Sequence, residues 1–217
     1  MPLIQVPLTF RTTEQEEFFR ATKRNSCFSG GFGNGKTYAA CEKAVFLLST
    51  FPNYRMAIVR YEESKLRETT MQTFFKVCPP ELYSPKYGGN RADSINKLTL
   101  YNGSRVIWMN LKDTDEGMVR GLEVNSVLID QAEEISEMMY LYLSARVGRW
   151  DRAEVPQELI QKFPNWPISP KTQRPKIPNY MMILCNPDSE LHWIYKRFHP
   201  NSEEFQRKYR KNHVMVQ

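Results

Sequence analysis

The sequence predicts an α/β fold, a mainly parallel sheet flanked by helices and carrying a β-hairpin insert. Three features carry that class. Short apolar runs ("SCFS", "MAIVR", "SVLID", "YMMILCN") are bounded by turn signals and alternate with longer stretches of helical spacing. The segment "KLTLYNGSRVIWMNL" places two β-prone runs on either side of Asn102–Gly103, the dipeptide of a tight hairpin. A glycine-rich turn, "GGFGNGKT", separates the first apolar run from the first long helix.

Taken in order, residues 1–25 are a lead-in, with "TTEQEEFFRATKR" a short amphipathic helix. "SCFSGG" is a brief buried strand running into the turn. Lys36 to Ser49 has helical spacing (Tyr38, Cys41, Val45, Leu48) and stops before Pro52. "MAIVR" (56–60) is a second strand and Glu62 to Val77 a second helix, closed by Pro79–Pro80. A loop with Gly88, Gly89 and Asn90 leads to the hairpin. Val127, Leu128 and Ile129 form a buried strand that ends at Asp130, and a helix is expected from about 133 to 146. Six prolines between 151 and 178 predict an irregular excursion. "YMMILCN" (180–186) is the last buried strand expected, with a helix around 190–198. No internal repeat appears, and 1–217 reads as one domain.

Composition narrows the class further. With 217 residues, 41% hydrophobic and 25% charged, the chain has material for one substantial core. A net charge of +6 and a pI near 9.1 suit a polyanionic partner and a solvated basic surface about equally. Four cysteines lie in or beside apolar runs without CxxC pairing, which predicts reduced buried thiols instead of zinc or disulfides. "MPLIQVPLTF" lacks the basic flank and long apolar stretch of a signal peptide, and no run approaches membrane-spanning length. The expectation is a cytosolic chain with no membrane partner.

"GGFGNGKT" fits the phosphate loop G-x-x-x-x-G-K-[ST] as Gly30, Gly35, Lys36 and Thr37. Glycines let backbone N–H groups curl around phosphate oxygens, and the following helix points its positive end at them. Gly30, Gly31, Gly33, Asn34, Gly35 and Tyr38 are therefore candidate nucleotide contacts. Lys36 would reach the outer phosphates of ATP, and the Thr37 hydroxyl would hold magnesium. Asp130, at the end of a β-prone run, is the second candidate magnesium ligand, or a helix cap, and the two roles can coexist. The next residue is Gln131, where many such enzymes keep the glutamate that activates water. Glu133 and Glu134 read either as stand-ins or as acids in the first turn of a helix. Asn186 reads as a sensor of the γ-phosphate or as part of an Asn-Pro-Asp-Ser turn. Arg60, on the ligand-binding edge of the sheet, and Arg120, in "GMVRGL", are each an arginine finger or a surface ion-pair partner.

The ordered set "SGGFGNGKTYAACEKAVFLL", "AIVRYEESKLRETT", "VRGLEVNSVLIDQAEEI" and "CNPDSELHWIYKRF" resembles the ATPase domain of the large terminase subunit of tailed bacteriophages, over nearly the whole chain. The resemblance implies an ASCE/RecA-like P-loop NTPase that uses ATP and Mg2+ to drive double-stranded DNA into a procapsid. It implies a ring of copies docked on the portal protein in the host cell cytoplasm, a monomer in isolation being allowed, with a small terminase subunit selecting the DNA. Arg120 then matches an arginine that reaches the neighbouring subunit. Asn186 falls in the segment coupling hydrolysis to movement, and Gln15 resembles an adenine-reading glutamine. Two departures stand out. Phe32 occupies a loop region where some relatives carry an arginine, and Gln131 replaces the catalytic glutamate, which predicts slowed hydrolysis. The sequence after the last expected strand is too short for the metal-binding acids of a terminase nuclease domain, so no nuclease activity is expected of this chain. Two other classes remain open on the residues alone: a helicase-like ATPase or small-molecule kinase, and a nucleotide-binding module with impaired hydrolysis.

Overall fold

A computed structural model describes residues 8–83, 97–114, 116–186 and 189–217. The expected loop at Gly88, Gly89 and Asn90 lies outside them, as do Pro187 and Asp188 of the Asn186 turn. Seven strands form one sheet: β1 (Asn25–Ser29), β2 (Arg55–Arg60), β3 (Lys97–Thr99), β4 (Arg105–Asn110), β5 (Ser126–Ile129), β6 (Met181–Cys185) and β7 (His213–Val216). Their order is β3-β4-β2-β5-β6-β1-β7, and only the β3–β4 pair is antiparallel. That pair is the expected hairpin. Gly103 supplies the left-handed backbone (φ 83°) that its turn requires.

The strands alternate between two apolar faces, as a sheet covered on both sides demands. Phe28, Met56, Ile58, Leu128, Met182 and Leu184 point to one face. There they meet α1 (Thr13–Arg20), α2 (Lys36–Thr50) and a helical run, α3, made of Glu63–Lys65, a π-turn Leu66–Met71 and Gln72–Val77. Cys27, Ala57, Val59, Val127, Ile129 and Ile183 point to the other. That face is covered by α4 (Glu116–Arg120), α5 (Glu137–Ser144) and, after a short α6 (Gln157–Lys162), α7 (Trp193–Phe198).

Several expectations need correcting. No helix spans 133 to 146. Gln131 adopts a left-handed backbone (φ 55°, ψ 61°), which breaks the chain into a 3₁₀ turn, Ala132–Glu134. Ser136 then caps α5 by accepting a hydrogen bond from the Met139 N–H at 3.2 Å. Glu133 and Glu134 are thus not the first turn of that helix. The proline-rich 151–178 segment contains α6, and β6 is not the last strand, because β7 adds to β1 in parallel. The lead-in is anchored by the buried Lys43, whose Nζ donates to Phe18 O (3.0 Å) and Ala21 O (2.6 Å). Burial draws that amine down to about 7.

Candidate nucleotide-binding site

Topology converges the motifs. β6 lies between β1 and β5, with Ser29 paired to Cys185 and Ile129 to Ile183. The glycine loop, Asp130 and Asn186 therefore leave adjacent strand ends at the same edge of the sheet. β2 flanks β5 on the other side, and the Asp130 N–H donates to Val59 O at 2.9 Å, so Arg60 emerges beside Asp130. A cavity of about 330 Å3 opens there, lined by loop residues 32–38, Thr73, Lys76, Asp130, Gln131, Cys185 and Asn186.

Gly35 sits at φ 77° and ends the loop as α2 begins. A Cβ on Gly35 would meet Gln15 Nε2 at 2.3 Å and one on Gly30 would meet Asn34 Nδ2 at 2.0 Å, side-chain ends that could give way, so it is the left-handed backbone at Gly35 that favours glycine. Lys36 curls back: its ammonium donates to Gly30 O (2.6 Å), Gly31 O (2.8 Å), Asn34 Oδ1 (3.2 Å) and Asn186 Oδ1 (3.2 Å). Partial burial lowers its pKa, opposed by the nearby Cys185, Glu133 and Asp130. The Thr37 hydroxyl donates to Asp130 Oδ1 at 3.3 Å. The other carboxylate oxygen accepts from the buried Thr70 hydroxyl at 2.6 Å and lies 3.7 Å from Arg60 Nη1. Arg60 also donates to the Gln131 amide oxygen and the Thr69 hydroxyl, so one buried guanidinium ties β2, β5 and α3 together.

Behind this lining, Glu133 Oε1 accepts from Asn186 N (3.2 Å) and Asn186 Nδ2 (2.7 Å), while its Oε2 is buried without a partner among the described residues. Asn186 thus bridges Glu133 to Lys36. Glu134 is exposed, with its pKa raised first by desolvation, opposed by Arg60. Gln15 is buried, its amide oxygen accepting from Arg11 N (2.8 Å) and its Nε2 donating to Asn34 O (3.1 Å). It braces the loop instead of presenting a free amide to a base. Tyr38 lines the cavity, and Phe32 stands on its rim, 84% exposed. Arg120 stays apart from the cavity. It is exposed, donates to Glu116 Oε2 at 3.1 Å and packs over Tyr142, with Arg146 Nη1 donating to its carbonyl. Among the described residues no group of three or more His, Cys, Asp or Glu is placed to hold a metal ion, and no helix is long and apolar enough to cross a membrane.

Sequence reasoning missed Thr70, Thr73 and Lys76. A signal for Thr70 exists, since it shares helical spacing with the buried Leu66, Phe74 and Cys78, and a polar residue on a buried stripe asks for a partner. No comparable signal marks Thr73 or Lys76.

Against known proteins, the chain matches no family model and no curated protein. Solved structures are another matter. The large terminase of a thermophilic bacteriophage superposes with TM-score 0.66 at 16% identity, covering 94% of this chain. The ATPase domain of the large terminase of Thermus phage P74-26 gives TM-score 0.54 at 14% identity over 87% of this chain and 69% of its own. The HK97 bacteriophage large terminase gives 0.54 at 11% over 82% of this chain. This chain has the terminase ATPase fold. It spans 44% of the thermophilic-phage terminase and 33% of the HK97 one, so the terminase fold seen here matches a part of those proteins.

Proposed function

We propose that this chain is the ATP-hydrolysing domain of a viral large terminase, which drives double-stranded DNA into a procapsid. One observation carries the reading: Lys36, Thr37 and Asp130 converge in a cavity at the strand ends of a terminase fold. The similar terminase of the thermophilic bacteriophage has structures with ADP and with ATP-gamma-S, which supports a nucleotide for this cavity. Partners on this reading are double-stranded DNA, the portal protein, the small terminase subunit and further copies of the chain in a ring. The place of action is the host cytoplasm at the procapsid.

The residues divide the work. The loop N–H groups and the start of α2 receive the phosphates, and Lys36 exchanges its carbonyl partners for their oxygens. Thr37 Oγ1 and Asp130 Oδ1 are two hard oxygens side by side, which fits Mg2+. When bound, the ion would neutralise charge on the outer phosphates. Thr70 and Arg60 fix the Asp130 carboxylate so that one oxygen faces the cavity. Gln131 and Asn186 line the cavity, whereas Glu133 lies behind Asn186 and positions it. Two amides near the phosphate end can orient a water but are no effective bases. This arrangement supports slow hydrolysis governed by positioning.

Lys36→Ala tests the assignment. ATP turnover, measured with and without duplex DNA, should fall to background and ATP binding should weaken sharply. Unchanged turnover would defeat the loop assignment. Transfer of the γ-phosphate to a small acceptor, in place of release, would convert the reading to a kinase.

A further inference from the structure

A second cavity, of about 810 Å3, lies at the opposite end of the sheet, where β2 and β4 begin with Arg55 and Arg105. The length of a six-residue strand, roughly 17–20 Å, separates it from the ATP edge. Arg152 and Arg174 complete its basic lining, with Asp151 and Glu154 the acids. None of the four arginines has a carboxylate within ion-pair distance among the described residues. The pKa of Arg55 is lowered by desolvation and then by its like-charged neighbours Arg105 and Arg152, with Glu123 opposing.

Contacts within the protein hold the cavity in shape. Arg55 Cζ lies 3.2 Å from the centroid of the Trp150 ring, and Arg152 Cζ lies 5.3 Å from the same ring. Trp150 Nε1 donates to Asn53 O at 2.8 Å. Asn125, 1% exposed, accepts from Arg55 N (3.0 Å) and donates to Trp150 O (3.0 Å). The opening of β2 and the Trp150 segment are thus clamped together, so crowding of positive charge is built into the frame. Planar guanidinium forks match phosphate oxygens in pairs.

We infer that this arginine-lined cavity grips the phosphate backbone of duplex DNA. The arginines already occupy the Trp150 ring, so a base has no open aromatic platform, and a single strand would lack the stacking that normally holds it. Backbone contacts position a duplex without reading its sequence, which suits a protein that moves along any sequence. The inference deepens the motor reading and rests on it for the identity of the polyanion.

The test combines Arg105→Gln, Arg152→Gln and Arg174→Gln, three exposed positions, leaving the stacked Arg55 in place. The control carries Arg207→Gln, Lys208→Gln and Arg210→Gln, which remove the same charge from another surface. Duplex binding is followed by anisotropy across a salt series, with single-stranded DNA of equal length and pyrophosphate as parallel probes. The expected result is at least ~10-fold weaker duplex binding and a log–log salt slope flatter by about 2.7 in the cavity variant. The control should stay near the parent, and single strands should bind the parent more weakly than duplex. Equal losses in both variants, or none in the cavity variant, would overturn the inference. So would a parent that ignores duplex, prefers single strands, or releases duplex to micromolar pyrophosphate. ATP turnover without DNA should be unchanged in the cavity variant. A parent with no turnover would defeat the motor reading and leave the binding result to judge the cavity alone.

Discussion

The two ends of the sheet hold charge in opposite ways. At the edge with the glycine loop, Lys36, Arg60 and Glu133 already have partners inside the protein, while Lys76 on the lining has no ion-pair partner among the described residues. Lys36 is spent on loop carbonyls, Arg60 on Gln131 and Asp130, and Glu133 on Asn186. At the other edge, Arg55, Arg105, Arg152 and Arg174 crowd together without a carboxylate in ion-pair distance among the described residues. The difference teaches what each edge selects. A ligand at the first must replace specific hydrogen bonds, so geometry decides and only a well-shaped phosphate chain succeeds. On the inference above, a polyanion at the second relieves unneutralised charge, so its affinity depends on salt.

The comparison can be broken at its sharpest point first. On the proposed reading Lys36 serves the phosphates and Arg60 is held by Asp130 and Gln131, so the prediction assigns further transition-state charge to the exposed Arg120 of a neighbouring copy. Arg120→Ala should lose ~10³-fold in turnover while ATP binding persists. Mixing it with Lys36→Ala chains should restore part of the rate at shared interfaces. An Arg120→Ala chain as active as the parent would move the finger elsewhere.

A smaller effect tests the neutral amides. Gln131→Glu should raise turnover by about tenfold or more with little change in ATP affinity, because on the proposed reading it adds a base beside the attacking water. No change there, together with silencing by Glu133→Gln or Glu134→Gln, would show that the base lies in the 3₁₀ turn.

The smallest effect concerns the frame that both edges share. His213 on β7 is buried, its Nδ1–H donating to Tyr209 O at 3.2 Å. Burial, aided by Arg197 and Lys23, pulls its pKa from 6.5 down to about 4, with the Tyr209 hydrogen bond opposing. The imidazole is therefore neutral in the fold and charged in the unfolded chain between those values. Its stability contribution is complete above pH 6.5 and is lost as the pH falls towards 4. Discounted for partial solvation, the loss is on the order of 1 kcal/mol. Denaturant unfolding of His213→Gln should show a flatter profile across that window, and an unchanged slope would reassign the acid sensitivity.

Sequence alone determined the features that depend on local chemistry. The glycine loop is legible because Gly33 and Gly35 take the left-handed backbone that its turns need, and the hairpin because Gly103 supplies another. Asp130 is legible as the polar end of a buried apolar run. The break at Gln131, the brace made by Gln15, Thr70 on Asp130, and the Asn186–Glu133 link were decided by tertiary structure. So was β7, a four-residue edge strand that exists through its pairing with β1 and carries too short a pattern to announce itself. The arginine cavity belongs to the same class: strand pairing sets Arg55 beside Arg105, and the packing of the 151–175 segment brings Arg152 and Arg174 to them. The physical reason is common to all of these. A turn or a strand is dictated by backbone and neighbour chemistry within a few residues, whereas partnership between distant polar groups is fixed by which strand lies beside which, and no local period encodes that.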